Sequence, residues 1–181
     1  GDLDLAVGNA YQQNAVYLND GDGTFDTISH TFGTDLSDTY AVALGDVNGD
    51  GSLDLAVGNW GEQNKVYIND GTGNPFDTIS HTLGTGIDLT GNLVLGDVDG
   101  DGDLDLAVGN RGQNAVYIND GDGAFDTISR AFGPNLDWTS ALVTGDVDGD
   151  GDLDLAVGNR EQNAVYLNQF AIYLPLVLKN Y

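Results

Sequence analysis

Asp97-Val98-Asp99-Gly100-Asp101-Gly102-Asp103-Leu104-Asp105 is an acidic loop that the 181-residue chain writes three times. The other copies are Asp46-Val47-Asn48-Gly49-Asp50-Gly51-Ser52-Leu53-Asp54 and Asp146-Val147-Asp148-Gly149-Asp150-Gly151-Asp152-Leu153-Asp154. Side-chain oxygens stand at loop positions 1, 3, 5 and 9, which are Asp46, Asn48, Asp50 and Asp54 in the first copy. They are Asp97, Asp99, Asp101 and Asp105 in the second, and Asp146, Asp148, Asp150 and Asp154 in the third. A hard cation such as Ca²⁺ takes about six to eight oxygens, and a chain bent at glycine points several at one centre. Without a cation the loop repels itself, since two carboxylates ~4 Å apart oppose each other by about 4 kcal/mol at an effective dielectric near 20. Glycine at position 6 (Gly51, Gly102, Gly151) supplies the backbone freedom for the turn. About three calcium sites are therefore expected, one for each of the three loops.

The flanking residues exclude the helical calcium loops. An EF-hand needs a bidentate Glu at position 12 on an exiting helix, whereas this chain has Val57, Val108 or Val157 there. Those valines lie in Leu-Asp-Leu-Ala-Val-Gly-Asn, which alternates bulky and small residues and predicts a short strand. Nonapeptide calcium solenoids have a far shorter repeat.

Asp4, Asp54, Asp105 and Asp154 occupy the same repeat position and are 50, 51 and 49 residues apart. A period near 50 with about four strands fits an all-β fold, a β-propeller of four-stranded blades. Each unit reads in the same order. An apolar strand A (Ala41–Leu44, Leu93–Leu95, Ala141–Thr144) enters the acidic loop, strand B is Leu-Asp-Leu-Ala-Val, and strand C resembles Asn14–Asn19. An Asp-Gly turn (Asp20–Gly23, Asp70–Gly73, Asp120–Gly123) then leads to strand D, a strong hairpin signal. Leu53, Leu55 and Val57 share one face and Ala56 and Gly58 the other, so a bulky face meets a small one and blades approach closely. Strand A, apolar on both faces, suits the crowded inner position. A β-sandwich is the competing fold, but sandwiches do not usually repeat a whole 50-residue sequence so faithfully.

Gly45–Asn59, followed by Asn64–Asn69 and Asp70–Phe76, resembles the FG-GAP/VCBS repeat family of integrin-α-like calcium-binding β-propellers. The resemblance covers residues 1–168, as repeats of about 1–37, 38–88, 89–137 and 138–168, with 169–181 as an apolar C-terminal strand or tail. It implies Ca²⁺ in the A–B loops, held by the side chains at positions 1, 3, 5 and 9. It also implies a backbone carbonyl at position 7, which adds Ser52, Asp103 and Asp152 to the ligand sets. Phe32-Gly33 and Phe132-Gly133 are not followed by Gly-Ala-Pro, so the chain resembles the bacterial form and not the integrin one. The first repeat keeps only the ninth-position ligand, Asp4, and no fourth site is expected.

Twenty-nine acidic against five basic residues give a net charge of −24, and 13 of the acids lie in the three loops. Much of the charge is thus a set of metal ligands. No Lys/Arg stripe exists to meet phosphates, which excludes nucleic acid as a partner and disfavours anionic membrane surfaces. There is no cysteine. Extracellular calcium modules bind at ~10⁻⁴–10⁻³ M, so a secreted or cell-surface location is expected. The absence of methionine and a start in mid-loop are those expected of the C-terminal part of a longer secreted precursor. The apolar run Phe170–Leu178 is too short to span a bilayer, which takes about 20 residues in a helix, and Pro175 opposes a helix. Chain direction predicts an outer strand D for it; a sorting or anchoring tail is the other reading. With that strand the count is 15, as a three-stranded first unit and three four-stranded ones. Either a ring of about four blades or the C-terminal arc of a larger propeller follows.

No catalytic constellation is present, and the chain is not expected to be an enzyme. His30 and His81 fall at one repeat position, with Arg130 in the third copy, and read as solvated positions of strand D. With no cysteine and no further histidine, no base is available for a nucleophilic triad. Binding residues gather instead on the variable B–C and D–A loops. Tyr11, Tyr40, Trp60, Arg111, Trp138 and Arg160 lie there, including both tryptophans and two of the five basic residues. Such side chains are the usual anchors of recognition surfaces. The expected function is an adhesion or recognition module for a glycan or an extracellular protein. The alternatives are a non-catalytic accessory propeller of a larger secreted polysaccharide-degrading enzyme, or a purely structural repeat.

Overall fold

A computed structural model describes residues 3–25, 27–33, 37–71, 75–76, 81–125, 128–133, 138–169 and 172–176. The second Asp-Gly turn at 72–74, parts of strands D at 77–80 and 126–127, and tail residues 170–171 and 177–181 lie outside them. The described residues are all-β and form three sheets. β1 (Leu5–Val7), β2 (Asn14–Tyr17) and β3 (His30–Phe32) make the first. The second holds β4 (Asp38–Gly45), β5 (Asp54–Tyr67), β6 (His81–Gly96), β7 (Asp105–Asn110), β8 (Asn114–Tyr117) and β9 (Ile128–Phe132). β10 (Thr139–Gly145), β11 (Asp154–Asn159), β12 (Ala164–Gln169) and β13 (Ile172–Leu176) make the third. All pairings are antiparallel and follow chain order. No helix among the described residues is long and apolar enough to cross a membrane.

The four repeat units are visible in this order, but the middle two are not separate sheets. β5 runs through both strand B and strand C of the second unit, turning at Gly61 with φ 83°. Its halves fold together where the Asn59 N–H donates to Asn64 Oδ1 at 2.8 Å and Asn59 Nδ2 to the Gln63 carbonyl at 2.8 Å. β6 continues from strand D of the second unit into strand A of the third, pairing with β5 on one stretch and β7 on the other. Because β5 holds strands B and C and β6 holds strands D and A, this sheet contains the A–B–C–D order of both units, joined through the continuous β6. In the last unit β13 pairs antiparallel with β12, with Pro175 opposite Tyr166 on an edge where a missing N–H is tolerated.

Strand alternation turns bulky and small side chains to opposite faces, and consecutive units pack on those faces. Leu55, Val57 and Tyr67 of the second unit meet Val16 and Phe32 of the first. Ala56, Val66 and Leu83 of the second meet Leu93, Leu106, Val108, Tyr117 and Phe125 of the third. Ala107, Val116 and Phe132 of the third meet Leu142, Leu155, Val157 and Tyr166 of the fourth. Gly58 has to be small: a Cβ there would lie 2.7 Å from Thr90 Cγ2 of the next unit. Strand A is less enclosed than its composition suggests, with Leu44 41% and Val143 61% exposed. It lines open space at those residues and is not a crowded centre.

The first and last of the three junctions also carry a buried polar chain. Asn14 Nδ2 donates to Thr39 Oγ1 at 2.9 Å, and that hydroxyl donates to Asn59 Oδ1 at 2.9 Å. The same relay runs Asn114–Thr139–Asn159 at 3.0 and 2.7 Å. All but Asn159 of these side chains are buried, so leaving one of them unpaired would cost about 1–3 kcal/mol.

Candidate metal centre and aromatic face

Asp54, Asp105 and Asp154, at loop position 9, are the first residues of β5, β7 and β11 and are no more than 1% exposed. Asp105 Oδ2 accepts the Val98 N–H at 2.7 Å and Oδ1 accepts the Asn119 N–H at 2.9 Å, which fastens the loop to strand C. The position-1 carboxylate organises the turn: Asp97 accepts from the N–H groups of Gly100 and Gly102 at 2.8 and 3.1 Å. The turn needs left-handed backbone there, and Gly100 and Gly102 have φ of 81° and 101°.

This backbone brings three acids to one point. One carboxylate oxygen each from Asp97, Asp99 and Asp105 lies within 4.8 Å of the others, and Asp146, Asp148 and Asp154 repeat the arrangement. The position-5 residues Asp101 and Asp150 stay outside these groups and accept the N–H groups of Asp103 and Asp152 instead. In the first loop Asn48 stands where the other two have an aspartate at position 3, and its amide donates to Asp50 Oδ2 at 3.1 Å. Ser52, at position 7, donates its N–H to Asp50 Oδ1 at 2.7 Å.

The electrostatics show what these clusters lack. Burial pushes the Asp105 carboxyl up to about 6, against the Asn119 and Val98 hydrogen bonds, and the Asp99 charge adds to the rise. Burial likewise raises Asp54, with help from Asp50 and Asp46, and raises Asp99, with help from Asp101 and Asp97. Asp50 is lowered by the Ser52 N–H and the Asn48 amide. The donors are all hard oxygens, several anionic, with no nitrogen or sulfur among them. That set suits a hard divalent cation and no soft metal, so the residues fit the group the sequence implies.

The loops are also seams between units. Asn119 Nδ2 of the third unit donates to the carbonyl of Val47, loop position 2 of the second unit, at 2.7 Å. Asn168 of the fourth unit does the same to Val98 of the third. Whatever orders an acidic loop therefore orders the junction beside it.

At the opposite ends of the strands, aromatic residues from separate units come together. Tyr40 stacks on Trp60 with centroids 5.3 Å apart, and Trp60 meets Trp138 at 5.2 Å. The Arg111 and Arg160 guanidinium groups each sit 6.0 Å from the Trp138 ring. Backbone bonds fix both arginines, from the Arg111 N–H to the Leu89 carbonyl at 2.8 Å and the Arg160 N–H to the Trp138 carbonyl at 2.9 Å. Tyr11 is 75% exposed, donates its N–H to Asp38 Oδ1 at 3.1 Å, and makes no ring contact with this cluster among the described residues.

Residues 1–57, 46–108 and 97–157 each match the family model of the FG-GAP-like repeat. The chain belongs to the FG-GAP-like repeat family. No curated protein matches it.

Each FG-GAP window after the first opens on one acidic loop and closes beyond the ninth position of the next. The junction side chains Thr39, Thr90 and Thr139 also recur at one FG-GAP position, 51 and 49 residues apart. The sequence reading assigned them no role, although that spacing marks them. His30 and His81 sit on corresponding strands but are half-buried, not fully solvated.

Proposed function

We propose that this FG-GAP chain is a calcium-stabilised β-propeller, secreted or on a cell surface, that serves as a recognition module and not as an enzyme. Its repeat units, stacked bulky face on small face, are read as blades. Ca²⁺ is assigned to the acidic loops, where it would neutralise carboxylates that burial leaves without a counter-charge. Asp97, Asp99 and Asp105, and Asp146, Asp148 and Asp154, are the residues that would hold it. Asp46, Asn48 and Asp54 are the corresponding set in the first loop.

The observation that carries the recognition role is the Tyr40–Trp60–Trp138 stack with Arg111 and Arg160 at its edge. Both tryptophans of the chain are spent on it. Flat aromatic faces suit the CH faces of sugar rings or an apolar protein side chain, and the arginines supply directional donors to hydroxyl or carboxylate groups. A glycan array probed with the calcium-loaded chain, alongside a Trp60→Ala/Trp138→Ala variant, tests this reading. Binding by the parent that the variant loses supports it. Binding that survives in a folded variant removes the aromatic face as the site, and no binding to any glycan removes glycan recognition.

A further inference from the structure

The first acidic loop differs from the other two at a position where the difference is chemically reactive. Its third residue is Asn48, followed by Gly49, where the other loops have Asp99-Gly100 and Asp148-Gly149. Asn48-Gly49 is the one Asn-Gly step in the chain. An asparagine side chain is an amide, and its carbonyl carbon is a single ring closure away from the backbone nitrogen of the next residue. Glycine leaves that nitrogen unshielded, because no Cβ stands beside it.

The hydrogen bonds of the loop leave the same nitrogen untied. In the second and third loops the position-4 N–H is held by the position-1 carboxylate. Gly100 donates to Asp97 Oδ1 at 2.8 Å and Gly149 to Asp146 Oδ1 at 2.7 Å. In the first loop Asp46 Oδ1 takes the Asp50 N–H instead, at 3.1 Å, and the Gly49 N–H has no acceptor among the described contacts. Gly49 is exposed, and a Cβ built on it would meet open space. The amide is polarised from the other side. Asn48 Oδ1 accepts the Asp50 N–H at 3.1 Å, which draws electrons from Cγ, while Nδ2 donates to Asp50 Oδ2 at 3.1 Å. Asn59 and Asn64, by contrast, are fully buried and precede Trp60 and Lys65.

We infer that Asn48 is a site of spontaneous deamidation, which gives the first loop the position-3 carboxylate that the other two carry. The Gly49 nitrogen bonds to Asn48 Cγ, the Cγ–Nδ2 bond breaks, and Nδ2 leaves as ammonia with the proton that Gly49 loses. The five-membered imide then takes up water. Opening at Cγ yields an aspartate on an unaltered backbone. Opening at the backbone carbonyl yields an isoaspartate, whose main chain is longer by a carbon. Water is the only co-reactant. In the aspartate product all of positions 1, 3, 5 and 9 are acids, as in the second and third loops. The longer turn of the isoaspartate product displaces Asp50 from its place and spoils the set. The consequence for calcium rests on the metal reading proposed above; the reaction itself does not.

The test is ageing of the full metal-free chain in warm, mildly alkaline buffer, followed by peptide mapping with mass spectrometry. The peptide holding Asn48 should gain about 1 Da before any other asparagine peptide changes. Isoaspartyl methyltransferase then labels the isoaspartate share. A parallel sample unfolded in urea measures what the fold contributes, and the folded rate should lie within about tenfold of the unfolded one. Asp99→Asn places the same step in the second loop, where the Gly100 N–H is tied, and should react more slowly than Asn48 in the same molecule. Should that variant misfold, Asp148→Asn makes the same comparison in the third loop. An Asn48 that stays intact while the urea sample deamidates would overturn the inference, as would an introduced step that reacts equally fast. Calorimetry on Asn48→Asp reads the consequence separately: its first loop should bind calcium several-fold more tightly than the parent's. Equal affinities would overturn that consequence alone.

Discussion

Removing calcium should invert the response of this protein to acid, and Asp105 sets the size of the inversion. Its carboxyl is fully buried and its pKa is pushed from 3.8 to about 6 in the fold. Between those values the folded chain holds a proton that the unfolded chain has released, so stability falls as pH rises through the window. Taking pKa values of 3.8 and about 6, the metal-free protein gains about 1.4 kcal/mol from Asp105 on going from pH 7.5 to pH 5. That corresponds to a melting temperature higher by about 3–6 °C for a chain of this size. Asp54 and Asp99 are raised as well and push the same way, while the lowered Asp50 acts only below its ordinary range. With calcium bound the sign reverses, because the cation requires the ionised carboxylates and acid displaces it. The assay is thermal unfolding at pH 5 and pH 7.5, in metal-depleted buffer and in millimolar calcium. Asp105→Asn should lower stability by about 1–3 kcal/mol at both pH values, since its amide faces two backbone N–H donors where one oxygen is lost. It should also remove the Asp105 share of the metal-free slope. A metal-free protein that loses stability on going from pH 7.5 to pH 5, with the Asn variant parallel to it, would refute the reasoning.

Further outcomes follow from the junctions. Thr139→Val removes the hydroxyl between Asn114 and Asn159 while keeping the shape, and should cost about 1–3 kcal/mol in chemical denaturation. Asn119→Leu breaks the bonds to Val47 and Leu104, leaving the buried Val47 seam unpaired, and should lower stability by a similar ~1–3 kcal/mol. Gly91→Ala would drive a methyl into the Thr139 carbonyl and against Trp138 Nε1, so its melting temperature should fall, with a shift in tryptophan emission because both tryptophans lie in one cluster.

The parts of this structure that repeat were legible in the sequence. The acidic loops, the Gly51, Gly102 and Gly151 turns and the bulky-against-small packing of Leu55 and Ala56 each follow from residue types at fixed spacing. What escaped depends on contacts between units. Trp60 and Trp138 are 78 residues apart, and no local pattern says that their loops meet. The fusion of strands D and A into β6 is a matter of backbone continuity past residues that read as a loop. The exposure of Leu44 and Val143 follows from how far the units enclose their inner strands, which apolar composition does not disclose.

The claim on which the account rests is that divalent ions hold the acidic loops and, through the Asn119 and Asn168 seams, the sheets beside them. Thermal unfolding of the metal-free chain against calcium concentration measures this directly. With the two carboxylate triples each filled at ~100-fold excess over its dissociation constant, every site adds about 2.7 kcal/mol, and the melting temperature should rise by roughly 10–20 °C. The same melting temperature in chelator and in millimolar calcium would contradict it.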